Sequence, residues 1–268
     1  MSRLFHEIRL WLARRLAAVE LHRCEEPSDA ETVIRKRRSR LSQFLIPPGN
    51  LYLRLMGADS FVLAETAWHR WEAAVSGAQS DGRDVLIPRV RGEVLSAVLQ
   101  SQKHSFAEKR EAIRLAMQAL RDLHSRQVSL AGSLWMLSHG DATADNVRVD
   151  LEAGTAGWFD FDMRHRSRLS EHWRHADDLR AYVFSCASML SEPSAEFFAE
   201  LIASHCDSDA RCEFVTRLQN DWQRPACFHL AQAPLYYGRY RAFRVTLLEC
   251  LAAEASRTII QSTSSTCV

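Results

Sequence analysis

Residues 138–163 read "SHGDATADNVRVDLEAGTAGWFDFDM", and this stretch places polar side chains at the ends of two strand-like apolar runs. In the first run, valines alternate with charged residues, and a glycine-containing turn then leads to the second run, "WFDFD". This pattern predicts a β-hairpin. Because a hairpin brings its two ends together, we expect Asp141, Asn146 and Asp160 to converge, although nineteen positions separate the outer two.

The chemistry of these three side chains indicates a cation site beside a proton acceptor. Two converging carboxylates repel each other unless a cation or a proton lies between them, and Mg²⁺ prefers oxygen ligands while keeping water and substrate phosphate in its other positions. Asn146 and Asp160 would supply such oxygens. Asp141 would then accept a proton from a hydroxyl nucleophile, or orient it. The alternative is that Asp and Asn only cap turns here.

The segment "HGDATADN" resembles the H-G-D-x-x-x-x-N catalytic loop of the protein-kinase-like superfamily in its small-molecule branch. That branch includes aminoglycoside phosphotransferases, choline kinases, lipopolysaccharide core kinases and RIO-type kinases. "FDFD" is similar to its metal-binding D-F-D or D-W-E motif. The resemblance implies Asp141 as catalytic base, Asn146 and Asp160 as magnesium ligands, and His139 as a residue that shapes the loop.

Two positions favour the small-molecule branch over eukaryotic protein kinases. Those enzymes carry arginine in the second position of the loop and glycine after D-F, whereas this chain has Gly140 and Asp162. Asp162 is predicted either as a second metal contact or as a surface hydrogen-bonding residue.

Three flanking segments extend the resemblance over most of the chain, in the superfamily's order. "ALRDLHS", with His124, resembles the end of the helix that precedes the catalytic loop. "LIPRVRGEVL" resembles the strand and hinge where backbone groups of Ile87 to Val90 would meet the adenine of ATP. "HADDLRAYVFS" resembles a later helix, whose Asp178 would support the catalytic loop.

The superfamily also implies a lysine on an N-terminal strand and a partner glutamate on a helix. Lys36 is the first candidate, because "VIRKRR" lies in a predicted strand over 32–37 and a point charge suits the α- and β-phosphates; Arg54 is the competitor. Glu72 is preferred as the partner, with Glu65 as the alternative seven residues earlier on a predicted helix. No G-x-G-x-x-G is present, so the nucleotide lid is assigned to "EEPSDAE", residues 25–31.

Other periodicities predict the remaining elements. Apolar residues at helical spacing predict an amphipathic helix over the first twenty residues, and "IPPGN" predicts a loop because Pro47, Pro48 and Gly49 interrupt helices and central strands. Further helices are predicted at 64–76, within "EVLSAVLQ" and within "FAEKREAIRLAMQALRDLHSRQ", with a strand at 85–91.

Composition excludes several classes of protein. Lys and Arg number 34 against 33 Asp and Glu, a net charge of +1, so no overall field favours a nucleic-acid partner. The seven cysteines contain no C-x-x-C pair and indicate neither a disulfide framework nor a zinc site. Charges interrupt the apolar N-terminus, which therefore lacks the continuous apolar core of a signal peptide or a membrane span. A cytoplasmic location is expected, and the predicted arginine-rich N-terminal helix would allow peripheral association with the inner membrane.

Together these features predict an α+β, two-lobed protein-kinase-like fold. A small sheet-containing N-terminal lobe would cover residues 1–90 and a mainly helical catalytic lobe residues 91–268. The expected function is transfer of the γ-phosphoryl group of ATP, with Mg²⁺, to a hydroxyl of a saccharide in the lipopolysaccharide or envelope class. A small soluble alcohol, an aminoglycoside or a protein serine are the alternative acceptors, and a non-catalytic scaffold is the alternative function. The arginines after the metal motif are candidates to bind a phosphorylated or acidic acceptor: Arg164, Arg166, Arg168 and Arg174.

Overall fold

The computed structural model describes residues 17–23, 32–55, 58–80, 84–130, 132–205, 208–220 and 242–254. Within these ranges, helices alternate with small antiparallel sheets, so the predicted α+β class is confirmed. No helix in the described part of the chain is both long enough and apolar enough to cross a membrane. The lid assigned to residues 25–31 lies outside the described residues.

A four-stranded antiparallel sheet is built from residues before position 90. Its order is β1-β2-β5-β4, and its strands are β1 (Ala17–Arg23), β2 (Thr32–Arg38), β4 (Gln79–Ser80) and β5 (Val85–Pro88). The strand predicted at 32–37 is therefore confirmed, and the strand predicted at 85–91 is confirmed over Val85–Pro88.

The helix predicted over the first twenty residues is wrong at its end. Residues 17–20 belong to β1, which pairs with β2 over its whole length, from Ala17 opposite Arg38 to Arg23 opposite Thr32. This ladder gives the backbone N–H and C=O groups their partners, and such pairing overrides a local helical pattern. Residues 1–16 of the predicted helix lie outside the described residues.

The loop predicted at "IPPGN" is also wrong, because α1 runs without interruption over Arg40–Leu55 and contains Pro47 and Pro48. Proline removes the backbone N–H that would bond to the carbonyl one turn earlier. No residue of α1 is buried, so water can bond to the carbonyls that lose a partner. Near the end of the helix, the Asn50 amide exchanges two hydrogen bonds of 2.8 Å with the backbone of Val62, and these bonds fix α1 against β3.

The other elements follow in chain order, and the helices predicted at 64–76, after Gly92 and before His124 are confirmed. They are β3 (Ser60–Val62), α2 (Glu65–Ser76), β6 (Glu93–Val94), α3 (Leu95–Gln100), α4 (Phe106–His124), β7 (Gln127–Leu130), β8 (Ser133–Met136), β9 (Val147–Asp150), β10 (Thr155–Trp158), β11 (Met163–His165), α5 (Glu171–Met189), α6 (Ala195–His205), α7 (Ser208–Asn220) and α8 (242–254).

The hairpin predicted in residues 138–163 is confirmed, with β9 and β10 paired antiparallel and β6 added beside β9. The core packs against it: Trp158 of β10 donates its Nε1–H to the Ala116 carbonyl of α4 at 3.3 Å. Tyr182 of α5 donates its hydroxyl to the Ile113 carbonyl of the same helix at 2.7 Å. Helices α4 and α5 therefore hold the hairpin from the buried side.

Two close contacts join segments that are far apart in the sequence. Strand β3 pairs with β11, so that Phe61 lies opposite Arg164 across the predicted boundary at residue 90. The segment after β5 also crosses the hairpin closely. Gly92 has φ +90° and approaches the Val149 carbonyl so closely that a Cβ would overlap it, while Arg148 donates to the Gly92 carbonyl at 2.6 Å.

Candidate active site

Strand β2 delivers a buried lysine to the end of the hairpin. Side chains alternate along a strand, so Arg35 and Arg37 contact Asp84 while Lys36 and Arg38 are buried on the other face. The Lys36 ammonium donates to the Asp162 carboxylate at 2.7 Å and also to the carboxylate of Asp160. Lys36 and Asp160, which are 124 positions apart in the sequence, therefore lie in contact. We call Lys36, Asp160, Asp162 and the neighbouring Glu72 the polar cluster.

Asp160 has an uncommon backbone conformation, with φ +67°. It is the one non-glycine residue with positive φ among the described residues. Aspartate enters the left-handed region more readily than most residues, at a cost of about 1 kcal/mol or more, and such outliers concentrate at functional sites. The preceding residue is held from both sides: Phe159 N–H donates to the Asn146 carbonyl at 3.0 Å, and His139 Nε2 lies 2.9 Å from the Phe159 carbonyl oxygen.

Glu72 of α2 completes the polar cluster, because its carboxylate is fully buried next to Lys36, Asp160 and Asp162. Its Oε2 accepts a 3.3 Å hydrogen bond from Trp68 Nε1, while its Oε1 has no hydrogen-bond partner among the described residues. The alternative partner, Glu65, lies instead 3.4 Å from His69 Nε2. The geometry therefore places Glu72, rather than Glu65, near the lysine.

The charges of the polar cluster are strongly coupled. Burial disfavours the Lys36 ammonium, but the two aspartates outweigh burial and raise the pKa of Lys36 above its usual value. The same ion pair lowers the pKa of Asp160 against the effect of burial, whereas burial and the Asp160 carboxylate raise the pKa of Asp162. Burial also raises the pKa of Glu72 to about 7. The Arg38 guanidinium also lies 3.7 Å from the Asp162 carboxylate, so two cationic side chains face the three carboxyl groups of the polar cluster.

The loop that contains Asp141 is fixed by its own side chains. The Asn146 amide nitrogen donates to the Asp141 backbone carbonyl at 2.8 Å and to its carboxylate oxygen Oδ2 at 3.0 Å. A short 3₁₀ turn, Ala144–Asn146, makes this contact possible, and the Ala144 N–H donates to the Ser185 hydroxyl of α5 at 3.0 Å. The amide oxygen is then the atom of Asn146 that can face a cation.

Asp178 of α5 supports this loop from behind, the contact that the resemblance implied. Its carboxylate accepts hydrogen bonds from the backbone N–H groups of His139 at 2.6 Å and Gly140 at 2.9 Å, and His124 Nε2 lies 3.0 Å away. Burial alone would raise the pKa of Asp178, but the histidines, His165 first, lower it to about 2. His139 and His124 thus act here as structural hydrogen-bonding residues.

Replacing Asp178 with asparagine should cost about 2–3 kcal/mol of unfolding free energy at pH 7, because an amide cannot accept all three bonds and one buried donor loses its partner. In the native protein, the pKa of Asp178 is about 2 against an ordinary value of 3.8. Its contribution is therefore present above pH 4 and is lost as the pH falls toward 2. Urea unfolding at pH 7 and pH 3 should show a smaller difference at pH 3, with Asp122→Asn on the exposed face of α4 unchanged. Equal differences at both pH values would contradict this role.

A second buried network lies behind the first, and the sequence analysis missed it. His165 of β11 contacts the Ser138 hydroxyl at 2.9 Å and the Asp177 carboxylate at 3.1 Å. Asp177 also pairs with Arg217 of α7 at 2.7 Å and Arg180 at 2.9 Å. Burial is outweighed by these arginines, so the pKa of Asp177 lies well below its usual range. The two consecutive aspartates, Asp177 and Asp178, were the signal in the sequence, because side chains at neighbouring helix positions can bond to two different loops.

The remaining predicted residues are placed as follows. Ile87 is buried in β5 opposite Ile34, and the side chain of Val90 lies against Gly157 of the hairpin. Arg54, the competitor of Lys36, is near the end of α1 and lines a separate cavity. Sequence reasoning also did not single out Arg38. Its guanidinium lies 3.7 Å from the Asp162 carboxylate, and the strand alternation that buries Lys36 also predicts it.

The donor atoms of this region fit magnesium better than a metal held only by protein ligands. Within the described ranges, no three His, Cys, Asp or Glu side chains form a group that could hold a metal ion. Magnesium, however, commonly takes only one or two carboxylates and completes its shell with water and substrate phosphate. Asp160 and Asp162 converge on the Lys36 ammonium. Asn146, in the adjoining loop, offers an amide oxygen.

The sequence was compared with protein-family models and with curated proteins. No family model matches it, and no curated protein matches it either.

Proposed function

We propose that this protein is a phosphotransferase with the two-lobed fold of the protein-kinase-like superfamily, in its small-molecule branch, and that it transfers the γ-phosphoryl group of ATP to a hydroxyl. One observation carries the proposal. Lys36 of β2 and the Asp160–Asp162 pair after β10 meet in one polar cluster, and the backbone of Asn146, in the loop with Asp141, bonds to the residue before Asp160. That combination matches the parts that phosphoryl transfer requires, namely positioning groups and charge neutralisation.

Each residue has a role that follows from its contacts. Asp141 accepts the proton of the acceptor hydroxyl or orients it, since its carboxylate is partly exposed and is held in place by Asn146. Asn146, Asp160 and Asp162 would hold magnesium, which neutralises negative charge on the phosphates. Lys36 would contact the α- and β-phosphates as a point charge, and Glu72 lies buried beside it as the acidic partner that the resemblance implies. Backbone groups from Ile87 to Val90 would bind adenine.

The candidate acceptor substrates keep the order that the resemblance implies. A saccharide of the lipopolysaccharide or cell-envelope class is the first choice, followed by a small soluble alcohol or an aminoglycoside, and then a protein serine. A cytoplasmic location suits an ATP-dependent enzyme, and peripheral attachment to the inner membrane through the arginine-rich N-terminal segment would bring it to an envelope substrate.

A non-catalytic kinase-like scaffold is the second candidate, favoured by one observation. Lys36 is bonded to both aspartates, and its predicted partner Glu72 is bonded to Trp68 instead. A protein that keeps this arrangement permanently would not bind nucleotide phosphates through Lys36.

Magnesium-dependent ATP binding by the purified full-length chain separates the two candidates. We expect ATP to bind in the presence of magnesium, and Asp160→Ala to weaken that binding at least tenfold, because a ligand of the ion is removed. Isothermal titration with and without magnesium measures this, followed by slow ATP hydrolysis as the second readout. Asp122→Ala, on the exposed face of α4, is the matched control and should bind like the native protein. Absence of ATP binding under every condition would overturn the phosphotransferase and favour the scaffold.

A further inference from the structure

A cavity of about 400 Å³ lies beside the β3–β11 pair, outside the polar cluster. Its size is within the range of about 300–1,000 Å³ that small-molecule sites occupy. Three elements contribute its walls: the end of α1, strand β3, and β11 with the turn after it. The lining residues are Arg54, Phe61, Arg164, Arg166, Ser167 and Arg168.

The cavity is strongly cationic. Four of its six lining residues are arginines, and none of the described lining residues is acidic. The carboxylate of nearby Asp59 is already bonded to Arg217 at 2.5 Å and to Trp173 Nε1 at 3.1 Å. Burial lowers the pKa of Arg164. Four guanidinium groups around one small volume repel each other, and an anion between them removes that repulsion.

Aromatic rings hold the arginine side chains in place. The Arg164 guanidinium lies 5.5 Å from the ring centroid of Trp71 and 5.8 Å from that of Phe61. Arg166 lies 5.9 Å from the same Phe61 ring. Contacts of this kind orient a planar guanidinium before any ligand arrives, and its N–H edge then fits a phosphate or carboxylate. Arg164 Nε is buried and has no hydrogen-bond partner among the described residues, as expected of a donor that awaits an acceptor.

Arg174 does not belong to this group, although the sequence analysis named it with the others. Its guanidinium donates to the backbone carbonyls of Leu169 at 2.8 Å and Met136 at 3.2 Å and covers the ring of Trp135. It is a structural residue, and Arg54 of α1 provides the fourth arginine of the cavity instead.

The cavity is joined directly to the loop that carries Asp141. Arg164 follows Asp162 by two positions, and its backbone lies against Gly140, the residue before Asp141. Gly140 has φ +82°, and a Cβ there would lie only 3.1 Å from the Cα and the N of Arg164. The strand that lines the cavity therefore packs against the loop of the candidate base.

We propose that this cavity binds a phosphate group already present on the acceptor, so that the substrate is a phosphorylated saccharide or polyol. A phosphate dianion offers three terminal oxygens, which match several arginine forks at once, whereas a carboxylate offers two oxygens and one charge. The assignment of this ligand as an acceptor rests on the proposed function; the binding of the anion does not.

The test measures sugar binding by isothermal titration to the full-length protein without nucleotide or magnesium. Glucose 6-phosphate, glucuronate and glucose present a phosphate, a carboxylate and no charge on similar rings. We expect glucose 6-phosphate to bind at least tenfold more tightly than glucuronate, and glucose to give no measurable binding. The double variant Arg166→Gln/Arg168→Gln should lose at least tenfold in affinity for glucose 6-phosphate. Arg121→Gln, an exposed arginine on α4, is the matched control and should lose none.

The outcomes separate this proposal from the phosphotransferase itself. Glucose 6-phosphate binding that is absent, or unchanged in the double variant, overturns the cavity as an anion site. Equal affinity for glucuronate overturns the choice of phosphate. Circular dichroism melting of the double variant must match the native curve, and Arg168→Gln alone, at an exposed position, provides the same comparison if the double variant does not fold. Failure of magnesium-dependent ATP binding would instead count against the phosphotransferase, whatever the sugars do.

Discussion

Asp141→Asn should lower kcat for phosphoryl transfer about 10³-fold, roughly 4 kcal/mol in activation free energy, while the affinity for magnesium-ATP stays within about threefold. The reason lies in the contacts of Asp141. Asn146 donates to its Oδ2, and an asparagine oxygen at position 141 can accept the same bond. The loop therefore keeps its shape, and the carboxylate that accepts the acceptor's proton is lost.

The measurement is turnover with the best acceptor found, beside ATP binding by titration. Asp145→Asn is a matched control four residues away, because Asp145 is exposed in the same loop and undergoes the same change. Its turnover should equal that of the native protein. Native-like turnover by Asp141→Asn would show that Asp141 is not the base.

Lys36→Met should cost about 2–4 kcal/mol of unfolding free energy near neutral pH. Lys36 is buried, and without it Asp160 and Asp162 both lose their ammonium partner. The two aspartate side chains are 39% and 30% exposed, so water screens part of their charge and keeps the loss below that of a fully buried ion pair. Methionine keeps the length of the side chain, so the loss reports charge rather than a cavity. Lys103→Met, at an exposed position, should change stability by less than about 0.5 kcal/mol.

The pH dependence of this loss has a defined sign. The raised pKa of Lys36 keeps its stabilising contribution constant between pH 5 and 8, since that contribution is lost only in strongly basic solution. In Lys36→Met, burial without an ammonium raises the carboxyl pKa values, so the aspartates take up protons as the pH falls and the unfavourable charge disappears. Urea unfolding at pH 5, 6.5 and 8 should therefore show the variant approaching the native protein at pH 5. Parallel pH profiles would contradict this account, and the triple variant Lys36→Met/Asp160→Asn/Asp162→Asn should recover much of the loss at pH 8.

Local patterns predicted those parts of the structure that local interactions specify. The alternating valines and the turn before β10 predicted the hairpin, and the apolar spacing within Phe106–His124 predicted α4. The convergence of Lys36 on Asp160 followed from resemblance instead, because no local pattern relates residues 124 positions apart.

The misses have physical causes that can be named. Helix α1 continues through Pro47 and Pro48 because its exposed carbonyls can bond to water, so the two prolines do not end it. Residues 17–20 form a strand because β2 supplies a ladder along their whole length. The hairpin of β7 and β8 was overlooked, although Gly132 between two short apolar runs was a turn signal.

Strands β3 and β11 could not be recognised from sequence, because each has three residues and no periodicity of its own. Their pairing places Arg164 opposite Phe61 and creates the cavity that the arginines line. The network of His165 and Asp177 depends on the same placement. These features arise from contacts between distant segments, and the local patterns of a single sequence do not show which distant segments come into contact.

The pairing of β3 with β11 also bears on how the chain folds. Pairing such distant segments requires closure of a long loop, which lowers the conformational entropy of the chain before any stabilising contact has formed. Non-local pairings therefore form slowly. Helices such as α4, with its own capping box at Ser105, form from neighbours alone and are fast. During refolding, helical ellipticity should therefore return before the tryptophan environment around Lys36 does. The arginine-lined cavity and the polar cluster would then mature together in the final kinetic phase, as a single late event.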